Sequence, residues 1–143
     1  MSFNSDFERA FIERSLLLVR EYRGPFDATL LLNCLLGLLV VPKESCLAEI
    51  PPDPIERFQE WGIEPSVVKS FGIAHKSNQD PHNLRGLVWR LRNSVAHFRF
   101  RPVPAHGQVE AFSFKDASGF EAVVPVSQLR VFVDRLASHI KNL

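Results

Sequence analysis

Arg92, Asn93 and His97 fall within six residues and bring a guanidinium, an amide and an imidazole to one short stretch of chain. An imidazole with an ordinary pKa near 6.5 gives or takes a proton at neutral pH. A guanidinium fork grips phosphate or carboxylate oxygens through charge-assisted hydrogen bonds, which count for most where water is excluded. On a helical wheel at about 100° per residue, Asn93 and His97 are i and i+4 and stack on adjacent turns. Arg92 lies about 140° from His97, a gap that a long side chain near a helix end can cross. Leu84, Leu87, Val88, Leu91 and Val95 form one narrow stripe, the expected core face. The far side holds Gly86, Trp89, Asn93, Ala96 and His97, flanked by Arg85 and Arg92. A purely wet face would normally carry Glu and Lys, so this one reads as a contact surface.

The surrounding charge points the same way. Between Pro81 and Val109 there is no acidic residue, whereas Arg85, Arg90, Arg92, Arg99 and Arg101 all occur there, and no Lys. From Pro42 to Glu64 the balance reverses. Such asymmetry marks an anion-binding surface. The competing reading is a solvated arginine face with internal ion pairs.

Arg92-Asn93-Ser94-Val95-Ala96-His97 resembles the R-x4-6-H signature of the HEPN superfamily, in which a polar second position is common. That resemblance implies a small helical bundle with the signature toward the end of a long, late helix. It also implies a metal-independent ribonuclease of toxin–antitoxin or antiphage systems, although other members are non-catalytic. Cleavage would use the 2′-hydroxyl of RNA as nucleophile, with Arg92, Asn93 and His97 as catalytic residues and Arg85, Arg90, Arg99 and Arg101 as RNA contacts. His97 would act as base or acid, Arg92 would hold the scissile phosphate, and Asn93 would orient either. One imidazole does not readily serve as both base and acid in one step, so the family's usual homodimer would supply the second. Gly86, Trp89 and Ala96 would then form its interface. RNA, a second copy of the chain and a cognate antitoxin are the implied partners. No cofactor or metal is implied.

The competing assignments are a non-catalytic binding module of the same shape, for nucleic acid or a partner protein, and a plain oligomerisation domain. Spacing alone is a weak guide, because Arg101 and His106 satisfy R-x4-H as well, in a proline-interrupted strand and turn. His75 and His82 flank a loop with Asp80, but that spacing is better read as solvated loop than as a metal site. His139 is expected to be exposed and inert, Cys34 to be core, and Cys46 to have no histidine near it. Trp61 is expected to pack rather than stack on bases. No phosphate-binding glycine loop, zinc-protease or nucleophile-elbow pattern occurs.

The remaining chain has to position these groups. With 143 residues, 45% hydrophobic and 23% charged, it suits one soluble domain over 1–143 that needs no staples. Two unpaired cysteines fit a reducing compartment, and the start shows no export signal, so cytoplasm is expected. The apolar run Ala28–Val41 is shorter than a membrane span, so no membrane is expected as a partner. Periodicity predicts a helix over Asn4–Tyr22 with Phe7, Phe11, Ile12, Leu16 and Leu18 on its apolar face. A buried helix follows over Phe26–Val41, with Gly37 as a point of close approach, then helical turns over Ile55–Trp61. A short helix over Pro65–Phe71 leads to a long one from Pro81 or His82 to about Phe98. Alternating runs at Phe98–Arg101, Val109–Phe114 and Phe120–Val124 predict a small antiparallel meander. The last helix, capped by Ser127, carries Leu129, Phe132, Val133, Leu136 and Ile140 on one face. The expected fold is mainly α: a HEPN-like bundle of about four main helices with a small β-insertion before the last.

Overall fold

The computed structural model describes residues 6–24, 27–40, 49–74 and 80–142. Among the described residues four α-helices form where the 3.6-residue spacing demands them: α1 (Asp6–Glu21), α2 (Asp27–Val40), α3 (Leu84–Ala96) and α4 (Val126–Lys141). The 3₁₀ segments Ile55–Trp61 and Pro65–Val67 precede α3. Gly37 lies where α2 meets α1: a Cβ there would stand 2.4 Å from the Phe11 ring. Ile12, Ser15, Leu16 and Val19 of α1 are buried, whereas Leu18, expected inside, is half exposed, and the Phe7 side chain lies outside those described. The predicted stripes of α3 and α4 are buried throughout.

The strands overturn the expectation of a mainly helical bundle. β1 (Val68–Phe71), β2 (Phe100–Ala105), β3 (Gln108–Lys115) and β4 (Phe120–Pro125) make one antiparallel sheet in the order β1-β4-β3-β2. The fold is therefore α+β, with a sheet that forms one wall of the core. The predicted meander is its β2–β3–β4 part. β1 lies in the stretch expected to be helical, and its side chains were too few to set a period. It is fixed instead by a partner far along the chain, with Val68 opposite Ala122 and Phe71 opposite Phe120. Such a pairing overrides local propensity.

The alternation of β3 and β4 turns Phe112, Phe114, Phe120, Ala122 and Val124 inward, where α3 and α4 cover them. Phe114 faces Ala122 on one side and Phe100 on the other. α1, α2 and α4 pack against one another beyond this layer, and α2 also meets α3. β2 is an edge strand, and Pro102 and Pro104 remove donors from it, which blunts the edge. The β2–β3 turn needs positive φ at both central residues, and His106 and Gly107 supply it at 53° and 77°. The second R-x4-H match thus ends in a hairpin turn.

Candidate functional site

α3 carries the candidate residues and is fixed at both ends. Its first turn is capped by the Asn83 side chain, which accepts from the Gly86 N–H at 2.9 Å, while the Leu84 N–H donates to the Asp53 carbonyl at 2.7 Å. Its last turn closes in a Schellman arrangement: Phe98 N–H donates to Val95 O at 3.1 Å, and Arg99 N–H to Ser94 O at 2.7 Å. His97 is the C-cap, and Phe98 takes the left-handed conformation at φ 54°. Ser94, fully buried, welds this helix end to the sheet. Its hydroxyl donates to Arg99 O at 2.8 Å and accepts from Lys115 N–H at 3.1 Å.

These bonds set His97 and Asn93 on the wall of an open cavity of about 480 Å³, together with Arg90, Arg99 and the Asp116–Ser118 turn. His97 and Arg99 are exposed and Asn93 is half-buried. The site therefore offers an imidazole, an amide and a guanidinium to a solvent-accessible anion. That set can transfer a proton beside an oxyanion and hold the charge that develops.

Arg92 is not on that wall. Its guanidinium carbon stands 5.3 Å from the centre of the Trp89 ring, a cation–π contact made one turn back along the helix. Of the three expected catalytic groups, the fold brings two together and parks the third beside them.

Arg90 corrects the sequence reading. It was expected to face RNA, but its side chain is 3% exposed and pairs at 2.9 Å with Asp116, itself 7% exposed. Further donors reach Ser118 Oγ and the Ile73 carbonyl, so one guanidinium ties the β3–β4 turn and the exit of β1 to α3. Burial alone would raise the Asp116 carboxyl, but hydrogen bonds from Ser118 and Arg90 outweigh it and hold the group below the ordinary carboxylate value. Asp-Ala-Ser-Gly is legible as a turn, yet nothing in the sequence connects it to an arginine 26 residues earlier.

Arg85 lies twelve residues before His97, about 18 Å along the axis, and donates to the Ile50 carbonyl at 2.7 Å. It does not join the cavity. Gly86, expected at a dimer interface, is buried within the subunit, where a Cβ would come 1.8 Å from the Asp80 carbonyl oxygen. Trp89 is half-buried and packs on the core, while Ala96 is exposed. Arg101 lines a neighbouring cavity with Lys115.

Other candidates are quieter. His82 pairs with Asp80 at 2.7 Å and stacks on Phe71 with ring centres 3.9 Å apart. His75 and Cys46 lie outside the described residues. Among the described residues no cluster of three or more His, Cys, Asp or Glu side chains has metal-site geometry. Cys34 is core, and burial pushes its thiol up, away from reactivity. Trp61 donates to Asp53 at 3.0 Å and meets the edge of His139, which is half-buried rather than exposed. No helix among the described residues is long and apolar enough to cross a membrane.

The family model described as HEPN pEK499 p136 matches residues 1–143. No curated protein and no solved structure matches the chain.

Proposed function

Because the chain belongs to the HEPN superfamily, whose members have nuclease, RNA-related or nucleotide-related roles, we propose that it is an endoribonuclease. The observation that carries the reading is the cavity in which His97 and Asn93 stand with Arg99, at the end of the helix that bears R-x4-H. His97 takes the proton from a ribose 2′-hydroxyl. The 2′-oxygen attacks phosphorus, the bond to the 5′-oxygen breaks, and a second imidazole protonates that leaving oxygen. The products are a 2′,3′-cyclic phosphate and a 5′-hydroxyl end. Arg99 neutralises the phosphorane-like transition state, and Asn93 orients His97 or a phosphate oxygen. Arg92 joins them by leaving Trp89, or across a two-fold axis from the second copy.

The second imidazole comes from a homodimer that sets two α3 helices side by side, with Trp89 and Ala96 at the contact. The step uses no metal. In a cell this activity is that of a toxin or antiphage effector, held in check by a cognate antitoxin.

The test is incubation of purified protein with total RNA in EDTA. Wild type should cut, and His97→Ala should lose on the order of 100-fold or more of the rate. Arg92→Ala should lose rate as well. Cleavage unchanged in both variants would overturn the assignment. The contact of Arg92 with Trp89 favours a second reading, a binding module without catalysis. It predicts salt-sensitive RNA binding with no product.

A further inference from the structure

Phe98 is the most exposed large apolar side chain described, at 82%, and it occupies a backbone position suited to glycine or asparagine. A non-glycine residue at positive φ is strained, and an exposed phenyl ring gains no burial in return. Stability does not explain it.

Its neighbours indicate what does. Phe98 follows His97 directly and borders a second cavity of about 470 Å³, lined also by Arg99, Arg101, Ser113 and Lys115. Arg99 and Asp116 belong to both cavities, so the two share a wall. Asp116 is committed to Arg90, whereas no side-chain ion pair or hydrogen bond among the described residues involves Arg99 or Arg101. Behind Phe98 stands Phe100, with ring centres 6.0 Å apart and planes 27° from parallel. An open aromatic face beside cations on a continuous groove is the recognition pattern for single-stranded nucleic acid.

We propose that Phe98 is a base-stacking platform and that Arg99, Arg101 and Lys115 hold the adjoining phosphates, forming a nucleotide subsite next to the His97 cavity. A duplex keeps its base faces stacked inside and cannot use the ring, so the ligand is single-stranded RNA or an unpaired loop. The assignment of the strand as RNA rests on the ribonuclease reading; the stacking itself does not.

The test uses a fluorescein-labelled, mixed-sequence 2′-O-methyl RNA decamer, which cannot be cleaved because its 2′-oxygen is blocked. Fluorescence anisotropy should show Phe98→Gly binding about ten-fold more weakly than wild type. Its melting temperature should be unchanged or higher, since glycine relieves the strain. Phe98→Trp should bind like wild type. On a decamer of the same charge built entirely of abasic units, wild type and Phe98→Gly should bind alike. Equal affinity of wild type and Phe98→Gly for the base-bearing decamer would overturn the proposal. So would no saturable binding by wild type, an equal loss on both probes, or dissociation of a dimer in place of weakened binding. Cleavage unchanged in both His97→Ala and Arg92→Ala sinks the ribonuclease reading and leaves this measurement standing; the converse holds too.

Discussion

Arg90 and Arg99 are nine residues apart in the same acid-free stretch, and the fold gives them opposite tasks. Arg90 is sealed against Asp116, and Arg99 opens to solvent. A count of arginines cannot separate them, because the distinguishing partner sits on a distant hairpin turn. Removing one member of a buried ion pair leaves an uncompensated charge and costs about 3 kcal/mol or more. Arg90→Ala should therefore lower unfolding free energy by roughly that amount in urea titrations at neutral pH. The pair also predicts a pH dependence. The Asp116 carboxyl is held below its unfolded value, so its contribution to stability is complete above about pH 4 and drains away as pH falls through the depressed value. Wild type should lose stability in that acid window, and Asp116→Asn should show a shallower loss across it.

Helices were the most legible elements, and for a physical reason: α3 and α4 bury stripes whose 3.6-residue spacing is written locally. The R-x4-H positions could be placed near the end of α3 from sequence alone. Their surroundings could not, since Ser94 meets Lys115, and Arg90 meets the Asp116 turn, only through the sheet. Gly86 shows the same limit, with a small residue read as making room for a second subunit where it makes room for the chain's own loop. Helix propensity would favour Gly86→Ala by about 1 kcal/mol, but the clash with the Asp80 carbonyl dominates. This substitution should lower the melting temperature by several degrees without changing oligomeric state, checked by calorimetry and light scattering. Ser94→Ala should cost about 1 kcal/mol in chemical denaturation, because it removes the hydroxyl's bonds to the Arg99 carbonyl and the Lys115 N–H, although that N–H keeps the Arg99 carbonyl as acceptor.

For the molecule as a whole, the proposed chemistry needs two imidazoles, and the described chain offers one histidine at the cavity. Sedimentation at micromolar concentration should give a dimer, and a monodisperse monomer would remove the paired-helix arrangement. Even so, the cavity wall is built from both sides of α3, because β1 enters the sheet before the helix and β2–β4 after it. Val68 and Ala122 pair across 54 residues of chain. Closing so long a loop is entropically late, so this short strand should dock last and detach first. Its amides should exchange with deuterium faster than those of β3, and excising 100–125 as if it were an ornament would leave β1 with no strand to pair and two helices with no wall to rest on.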